Sequence, residues 1–388
     1  MAVLKIGVIG VGNIGLANAL KIQRQIPHAN VTAICDKNTE CLKIASKELG
    51  SEVSQFENLE DLINKQIIDA VYIATPHKYH CDTAIRCFKA GLHVLMEKPA
   101  GVYTQEVRDM NKVAADSGKV FSIMFNQRTD PVYWRLRELL QAKRLGLLKR
   151  INWIATEWYR SQAYFAQGGW RATWAGEGGG VLINQAVHQL DLWQWIFGMP
   201  DRLRAFCYFG KYHDIEVEDD VTAFLEYSDG VTGTFVTSTG DAPGTNRLEV
   251  TGDRGKVIIE NKKLIFEELD IPERKFNIDN TQPFGKPKVI EQEVLTTDTK
   301  TKPVQDTNPV WAAPEMVSYL GEQHLGILKN FVDNILTGRK LITRGEEGVL
   351  GLSLSNAMYL SSWTDDWVAL PPNESLFLEY LNKLKEKN

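Results

Sequence analysis

The N-terminal third of the chain alternates short apolar runs with stretches of helical apolar spacing. Four such runs are VLKIGVI, NVTAICD, DAVYIATP and HVLMEKP. The last two are almost continuously apolar, which is typical of parallel strands that are covered on both faces. Segments between the runs, such as LANALKIQRQ, carry apolar residues at helical spacing. The pattern predicts an α/β unit built on a parallel sheet.

The middle of the chain changes to strand-like segments after one helix. The helix is predicted in DPVYWRLRELLQAKR, with Asp130 as its cap and Pro131 in its first turn. The segments that follow are rich in β-branched and aromatic residues and contain turn signals. They are RINWIATEWY, RLRAFCYFG, DDVTAFLEYSDGVTGTFVTST and NRLEVTGDRGKVIIE. This composition predicts a series of strands joined by turns.

Periodicity fades in residues 268–310, where Pro, Thr, Lys and Asp accumulate. We interpret this segment as an extended arm on the surface. Helical spacing resumes in GEQHLGILKNFVDNILTGRK, and the helix is predicted to end at Gly338.

Composition and charge narrow the class of partner. With 388 residues, 44% of them hydrophobic, the chain is long enough for two domains. The formal net charge is -5 and the basic residues are scattered, so no patch is expected to attract nucleic acid or an anionic membrane. We therefore expect a small-molecule partner.

The cysteines and the N-terminal sequence indicate the cellular compartment in which the protein is expected to work. The five cysteines include no C-x-x-C pair, which argues against a disulfide framework and against a metal site of the structural zinc type. Free thiols fit a reducing cytoplasm. The N-terminus loosely imitates a secretory signal, but four glycines interrupt its apolar run. No apolar run approaches the length of a membrane span.

A glycine-rich turn, GVGNIG, follows the first predicted strand. Gly10 allows the tight turn, Gly12 lets the backbone approach a pyrophosphate, and Gly15 lets the helix pack against the strand. Asn13 and Ile14 lie in the first turn of that helix, whose N-terminus is expected to face the phosphates. The pattern predicts a dinucleotide site, and a turn that serves only packing is the alternative.

The second predicted strand ends at Asp36, about 20 residues beyond the last glycine of the turn. A carboxylate at this place can accept hydrogen bonds from both ribose hydroxyls. Its charge opposes a 2′-phosphate, so we expect NAD in preference to NADP, although the adjacent Lys37 weakens this inference.

Polar residues also follow the next two apolar runs. Thr75 and Pro76 end one run, and Glu97 and Lys98 end the other. Because ligands of such sheets bind beyond the carboxyl ends of the strands, we expect these residues at the cofactor. The proline after Lys98 favours extended backbone at the strand tip, and a solvated loop lysine is the alternative. His80, where the next helix should begin, is either at the cofactor edge or a surface or capping residue.

Five motifs in this order resemble the glucose-fructose oxidoreductase and inositol dehydrogenase family of NAD(P)-dependent sugar and polyol oxidoreductases. They are GVGNIG, Asp36, TPHKYH, MEKP and GGGVLINQAVHQLD, followed by the tail LITRGEEGVLGLSLSNAMYLSSWTDDWVALP. The resemblance implies a Rossmann domain with a doubly wound parallel sheet over residues 1–125. Over residues 126–388 it implies an α+β domain with a large, mostly antiparallel open sheet. This second domain would bind substrate and form the subunit contacts. Its segment from about residue 320 to 388 would return toward the first domain.

The stretch GGGVLINQAVHQLDLWQW predicts a helix with Asn184, His188 and Asp191 on one face, approached by glycines that let a loop pass close to a ligand. A core histidine satisfied by Asp191 is the alternative. The resemblance implies that His188 is the general base, that Lys98 binds and polarises the reacting oxygen, and that Asp191 orients the imidazole. Where inositol dehydrogenase relatives carry aspartate, this chain has Asn184, whose amide cannot take a proton from a hydroxyl.

Aromatic faces with interleaved hydrogen-bonding groups suit carbohydrate, although sheet and interface packing explains the same residues equally well. The candidates for substrate binding are Arg128, Tyr159, Arg160, Trp170, Arg171 and Asp191, with Asn126, Gln127 and Trp174 as further pocket residues.

The leading hypothesis is an NAD-dependent dehydrogenase that transfers a hydride between nicotinamide and a carbinol carbon of a sugar, glycoside or cyclitol. Two alternatives remain: a redox-neutral sugar-modifying enzyme that retains its cofactor, and a non-catalytic NAD-binding sensor. The sensor would be expected to lack Lys98 or His188, and both are present. Since the open sheet of such relatives is usually buried between subunits, we expect a homodimer or homotetramer.

Overall fold

The computed structural model describes residues 3–167, 169–297 and 318–386. The strands in these ranges are β1 Leu4–Ile9, β2 Ala29–Cys35, β3 Ser54–Phe56, β4 Ala70–Ile73, β5 His93–Met96, β6 Phe121–Ile123, β7 Leu148–Ala155, β8 Arg202–Phe209, β9 Glu218–Glu226, β10 Thr232–Ser238, β11 Asn246–Gly252, β12 Gly255–Glu260, β13 Lys263–Leu269, β14 Val289–Thr296 and β15 Val368–Ala369. The α-helices are α1 Asn13–Gln25, α2 Thr39–Leu49, α3 Leu59–Asn64, α4 His80–Lys89, α5 Thr104–Ser117, α6 Pro131–Gln141, α7 Gln162–Phe165, α8 Val187–Phe197, α9 Glu273–Asp279, α10 Gln323–Thr337, α11 Gly348–Thr364 and α12 Glu374–Glu386.

The chain divides into two compact units. Unit 1 comprises the described parts of residues 1–129 and 318–352, and unit 2 comprises the described parts of residues 130–317 and 353–388.

Unit 1 contains a six-stranded parallel sheet in the order β3-β2-β1-β4-β5-β6. The chain starts at β1, moves outward through β2 and β3, and then returns to β4 on the other side of β1. The carboxyl ends of neighbouring strands on either side of this reversal form the usual binding edge of such a sheet. The predicted doubly wound parallel sheet is confirmed, and its strand order fixes which strand-end residues are neighbours.

Unit 2 contains a nine-stranded sheet in the order β14-β13-β12-β11-β7-β10-β9-β8-β15. All neighbouring strands run antiparallel except β7 and β10, which are parallel. On its buried face, the Trp153 and Phe235 rings pack against Trp193 of α8, with ring centroids 6.4 and 6.1 Å from that indole. The expected large, mostly antiparallel open sheet is confirmed.

The opposite face of this sheet carries exposed apolar side chains. Strand register aligns Phe206 with Thr222, Thr222 with Val236, and Val236 with Ile154 in one row across four strands. Phe206 is 49% exposed and Ile154 is 41% exposed. Phe224, which is 37% exposed, lies two residues along β9 and therefore on the same face.

The predicted cap and stop of two helices are confirmed. The Asp130 carboxylate accepts a hydrogen bond from the Val132 N–H at 3.1 Å, with Pro131 at the first helical position. The later helix ends at Gly338, which has a φ of 76° in the left-handed region. Of the described residues, none forms a helix long and apolar enough to cross a membrane.

The surface arm predicted over residues 268–310 differs in part from the structure. The segment contains α9 and the edge strand β14, which pairs antiparallel with β13. Most side chains of β14 are exposed, so no alternation of apolar and polar residues marks it as a strand. Residues 298–310 of the prediction lie outside the described residues.

Candidate functional site

The glycine-rich turn after β1 has the geometry that a dinucleotide requires. Gly10 has a φ of 85°, in the left-handed region that favours glycine. A Cβ on Gly15 would collide with the Gly10 carbonyl oxygen, so α1 packs closely on the turn. A Cβ on Gly12 would meet no protein atom within 4 Å. The open space therefore lies at Gly12, directly before the N-terminus of α1, where no side chain forms a cap.

Asp36 follows β2 and contacts the same turn. Its Oδ2 accepts a hydrogen bond from the Val11 N–H at 2.8 Å, and its Oδ1 accepts one from the Asn38 N–H at 2.8 Å. The carboxylate is half-buried. It is thus fixed beside the glycine-rich turn, where ribose hydroxyls would lie if the turn binds a pyrophosphate. The Lys37 ammonium lies 5.8 Å from the centroid of the Tyr79 ring.

The residues after β4 combine an unpartnered hydroxyl with a buried histidine. Thr75 Oγ1 is buried and has no hydrogen-bond partner among the described residues. Pro76 leads into a short 3-10 turn, and α4 begins at His80. The two ring nitrogens of His80 lie 2.8 Å from the Pro99 carbonyl oxygen and 2.7 Å from that of Thr75. His80 therefore links the segments that follow β4 and β5.

Burial lowers the pKa of His80 from its ordinary value, while the two carbonyl oxygens oppose that effect. Each neutral tautomer has one N–H and so donates to only one of the two carbonyl oxygens.

Lys98 follows a buried carboxyl at the end of β5. Glu97 is almost completely buried, and its Oε1 accepts a hydrogen bond from the Tyr72 hydroxyl at 2.5 Å. Tyr72 in turn accepts one from the Asn18 amide at 2.7 Å, whose oxygen accepts one from Lys21 Nζ at 3.1 Å. Burial raises the pKa of Glu97, and the Tyr72 hydrogen bond and the Lys98 charge oppose that rise. The half-buried Lys98 therefore directly follows Glu97, which belongs to an ordered network of hydrogen bonds.

His324 is a further candidate residue that the sequence analysis missed. It lies in the first turn of α10, within unit 1. Burial and the positive charges of Lys21 and Lys98 lower its pKa to about 4. His324 is thus a neutral imidazole at ordinary pH in the electrostatic field of Lys98. No motif surrounds it in the sequence, so only the structure relates it to the lysine.

The features of unit 1 fit an NAD-type cofactor. The open space at Gly12, the uncapped N-terminus of α1, the fixed Asp36 carboxylate and the unpartnered Thr75 hydroxyl all follow strands that are adjacent in the sheet. This arrangement offers N–H donors to phosphates and an acceptor to ribose hydroxyls.

In unit 2, the predicted continuous helix through Asn184 is wrong. Residues 181–186 form turns, and α8 begins only at Val187. The Asn184 N–H donates to the Gly180 carbonyl oxygen at 3.1 Å, but the Ala186 N–H reaches back five residues to Val181 at 2.7 Å. This wider turn separates Asn184 from the regular helix, which carries His188.

Two of the three glycines before Asn184, Gly179 and Gly180, approach protein atoms. The Gly180 and Leu182 N–H groups donate to the Glu218 carboxylate at 2.9 and 2.8 Å. A Cβ on Gly179 would collide with the Tyr359 hydroxyl, and one on Gly180 with the Glu218 carbonyl oxygen. Tyr359 also donates to Glu218 at 2.7 Å, and burial raises the pKa of Glu218 to about 7. The glycines therefore allow close packing on Glu218 and Tyr359.

Asn184 contacts a carboxylate that the sequence analysis missed. Its amide donates to Glu177 Oε1 at 2.5 Å and to the Tyr164 hydroxyl at 3.3 Å. Glu177 is buried, and its other oxygen accepts the Ala172 N–H at 2.8 Å. Glu177 directly precedes the three glycines in the sequence, but nothing in that spacing indicates its contact with Asn184.

His188 and Asp191 occupy the first turns of α8. His188 is half-buried, whereas Asp191 is buried and accepts a hydrogen bond from the Gln194 amide at 3.1 Å.

Two parts of the chain match known protein families. Residues 4–125 match the oxidoreductase family with an NAD-binding Rossmann fold, and residues 133–258 match the GFO/IDH/MocA C-terminal domain. The chain belongs to the GFO/IDH/MocA oxidoreductase family.

Individual relatives are distant in sequence. The chain is 28% identical over 264 residues to trans-1,2-dihydrobenzene-1,2-diol dehydrogenase of Bos taurus. This match covers 64% of this chain and 75% of that protein. It is 23% identical over 363 residues to myo-inositol 2-dehydrogenase of Thermotoga maritima. This match covers 91% of this chain and 95% of that protein.

A solved structure has a similar fold. The WlbA dehydrogenase from Bordetella pertussis, in complex with NADH and UDP-GlcNAcA, gives a TM-score of 0.76 at 22% identity. The match covers 96% of this chain and 100% of that chain.

The substrate candidates of this GFO/IDH/MocA protein differ in their surroundings. Arg128 is buried, donates to the Ile342 carbonyl oxygen at 3.3 Å and forms an ion pair with Glu347, so its charge is compensated within unit 1. Tyr159 is 49% exposed. Trp174 is buried among other aromatic rings and serves packing.

A further candidate of this family member, Asn126, is held inside unit 1. The Asn126 amide donates to the Gln323 side-chain oxygen at 2.7 Å, while Asn126 Oδ1 is buried without a partner among the described residues.

Among the residues that the structure describes, no three His, Cys, Asp or Glu side chains are arranged to hold a metal ion.

Three candidates meet around one tyrosine in unit 2. The Arg160 and Arg171 guanidinium carbons lie 5.1 and 4.9 Å from the centroid of the Tyr164 ring. Arg171 also lies 4.7 Å from the centroid of the Trp170 ring. The structure thus brings Arg160, Trp170 and Arg171 together with Asn184 through Tyr164, another residue that the sequence analysis missed.

Proposed function

We propose that the protein is an NAD-dependent dehydrogenase that oxidises a carbinol group of a sugar, glycoside or cyclitol. The observation that carries the proposal is the arrangement of strand ends in unit 1. Lys98 follows β5, in the same parallel sheet in which the glycine-rich turn follows β1 and Asp36 follows β2. Lys98, whose ammonium can polarise a hydroxyl, and the dinucleotide-binding turn therefore lie at the same edge of the sheet.

The relatives support the class of substrate. Two of them are named for oxidation of a cyclic diol or cyclitol, and a protein of similar fold binds NADH and UDP-GlcNAcA. All three names point to cyclic compounds with hydroxyl groups.

We propose NAD in preference to NADP. The half-buried Asp36 carboxylate is fixed beside the glycine-rich turn by the Val11 and Asn38 N–H groups. In this position it can accept hydrogen bonds from a ribose diol and would repel a 2′-phosphate. The N–H groups at the start of α1 and the Thr75 hydroxyl would bind the rest of the cofactor.

In the proposed reaction, Lys98 hydrogen-bonds to the reacting hydroxyl and stabilises the developing negative charge on its oxygen. His188 accepts the hydroxyl proton as the carbonyl forms. When bound, NAD supplies the acceptor for the hydride of the carbinol carbon. Asn184 aligns a neighbouring hydroxyl, and its contact with Glu177 fixes the orientation of its amide.

The proposal is tested first by measuring the cofactor content of the purified protein and then by following NADH formation with a panel of sugars, glycosides and cyclitols. NADH that accumulates in proportion to added substrate supports a dehydrogenase. A cofactor that stays bound while a sugar is altered without net NADH would favour the redox-neutral alternative. NAD binding without turnover of any sugar would favour the sensor.

The assigned residues are tested by Lys98→Ala and His188→Ala. Each change should lower turnover by on the order of a hundredfold or more and leave NAD binding intact, because both residues act on the substrate hydroxyl. Lys89→Ala, at an exposed lysine at the end of α4, is the matched control and should retain activity. Wild-type turnover in both active-site variants contradicts the mechanism.

We also propose that the protein is a homodimer or homotetramer and that it works in the cytoplasm. The exposed apolar face of the nine-stranded sheet supports self-association, because monomers rarely expose large apolar patches. The five cysteines are free thiols, which supports a reducing compartment.

A further inference from the structure

Two arginines pack against one tyrosine ring next to Asn184. The Arg160 and Arg171 guanidinium groups both lie within cation–π distance of the Tyr164 ring. Arg171 also donates a hydrogen bond to the Tyr164 hydroxyl at 3.0 Å. The same hydroxyl accepts a hydrogen bond from the Asn184 amide at 3.3 Å. We refer to Arg160, Tyr164 and Arg171 as the arginine–tyrosine cluster.

Among the described residues, the positive charge of this cluster has no direct ionic partner. In the described chain, neither Arg160 nor Arg171 forms an ion pair with a carboxylate. Arg160 Nε is buried and has no hydrogen-bond partner there, although a buried guanidinium donor ordinarily has one. The carboxylate oxygens of Glu177 accept hydrogen bonds from the Asn184 amide and the Ala172 N–H.

The Tyr164 hydroxyl also has an unused donor. Its oxygen accepts from Arg171, Asn184 and Gln185, the last at 3.4 Å. A hydroxyl has two acceptor positions and one proton, so two of these three contacts already fill its acceptor capacity. Within the described residues, this hydroxyl donates no hydrogen bond. The cluster therefore offers an O–H and guanidinium N–H groups, all donors, to a ligand.

We propose that the substrate carries an anionic group, either a carboxylate or a phosphate ester, which Arg160, Arg171 and Tyr164 bind together. Charge-assisted hydrogen bonds from guanidinium to such oxygens are about twice as strong as neutral ones. The proposal rests on the proposed function, because Asn184, which contacts the cluster, is assigned to align the substrate. It narrows the substrate class from any sugar or cyclitol to an acidic derivative.

The test compares D-glucuronate with its neutral amide, with glucose and with a hexose monophosphate. Binding to the NADH-loaded protein is measured by calorimetry, and oxidation is measured separately with NAD. We expect the wild type to bind an acidic probe about tenfold to a hundredfold more tightly than the neutral amide, given the usual strength of hydrogen bonds to charged groups. Stronger binding of glucuronate identifies a carboxylate, and stronger binding of the hexose monophosphate identifies a phosphate.

Arg160→Gln and Arg171→Gln should each remove most of this preference, because the loss of the guanidinium weakens binding of the acid more than binding of the amide. Arg171→Lys keeps the charge without the planar fork and should retain part of the preference. Tyr164→Phe removes only the hydroxyl donor, so it tests the cluster if an arginine variant does not fold. Arg150→Gln, at an exposed arginine of β7, is the matched control and should bind like wild type.

The outcomes separate this proposal from the proposed function. Equal binding of acid and amide by the wild type, or binding of neither acidic probe, overturns the anion site. Oxidation of neutral sugars in that case leaves the dehydrogenase assignment intact. Arginine-dependent binding of an acid without oxidation of any sugar supports the anion site and contradicts the dehydrogenase.

Discussion

The Tyr72 hydroxyl donates a 2.5 Å hydrogen bond to Glu97 Oε1, directly before Lys98 at the end of β5. Burial raises the pKa of Glu97 above its ordinary value, and this hydrogen bond opposes the rise. A raised folded pKa means that the stability contributed by Glu97 is fully present below its ordinary value of 4.5 and is lost as pH rises through the folded pKa.

Tyr72→Phe should therefore raise the pKa of Glu97 further and move this loss of stability to higher pH. Leaving a buried carboxyl without its donor should cost about 1–3 kcal/mol of unfolding free energy. Urea unfolding across pH measures both effects. Tyr79→Phe, at a tyrosine that is 46% exposed, is the control and should be neutral. Equal stabilities of the two variants would mean that the Tyr72 hydrogen bond contributes nothing.

Glu218 gives unit 2 a pH dependence of the same sign. Its folded pKa is raised to about 7 by burial from an ordinary 4.5. Stability from this group is thus complete below pH 4.5 and declines up to about pH 7, by at most about 3 kcal/mol. Glu218→Gln should abolish that decline and also weaken the contacts to Gly180 and Leu182. Glu386→Gln, at an exposed position of α12, should keep the wild-type pH profile.

How much the sequence predicted depends on whether a feature is local. The glycine-rich turn and Asp36 were predictable because strand, turn and helix are contiguous, and each glycine has a separate steric role. Lys98 was predictable as a strand-end residue for the same reason. The contacts of Glu218 with Gly180 and Leu182 join segments that are 36 or more residues apart, and no periodicity reports such a contact.

The error at Asn184 has a physical cause. Residues 181–186 carry apolar side chains at nearly helical spacing, so the sequence predicts one helix from there into α8. The structure instead holds the start of this segment on Glu218 and closes a wider turn at Ala186. Tertiary hydrogen bonds thus override the local pattern next to Asn184, which we propose as a site residue.

Cofactor preference is tested at Asp36. Asp36→Asn keeps an oxygen that can accept the Val11 N–H but removes the charge. We expect the ratio of NADP to NAD dissociation constants to fall at least tenfold, since repulsion of a nearby phosphate is worth more than 1 kcal/mol. Asp36→Ala should also weaken NAD binding because the turn loses its acceptor. Tighter binding of NADP than NAD by the wild type would mean that Lys37 governs the preference.

Self-association is tested on the exposed face of the nine-stranded sheet. Phe206→Glu places a charge in the row that includes Ile154 and should weaken subunit association at least tenfold. Light scattering after size-exclusion chromatography measures the mass. Phe284→Glu is the control, because Phe284 is 99% exposed and lies outside the sheet. A wild-type monomer, or unchanged assembly in Phe206→Glu, would exclude this face as the interface.

The pair formed by Asn184 and Glu177 gives the last prediction. Asn184→Asp replaces the amide donor at 2.5 Å with a second carboxylate. Two buried carboxylates at this distance must share one proton, so the pKa of the pair's second ionisation is strongly raised. Relative to wild type, the variant should lose stability as pH rises through that raised pKa, by roughly 3 kcal/mol. Urea unfolding at several pH values measures the loss.

The double variant Glu177→Gln, Asn184→Asp restores one carboxylate and one amide with their positions exchanged. It should regain most of the lost stability, because the pair again has a donor and an acceptor. It also moves the negative charge to position 184, four residues before His188 in the chain. If both residues act on one substrate, the charge should stabilise the imidazolium and shift the onset of turnover to higher pH. A double variant with restored stability and the wild-type pH profile would show that position 184 holds the loop without influencing the base.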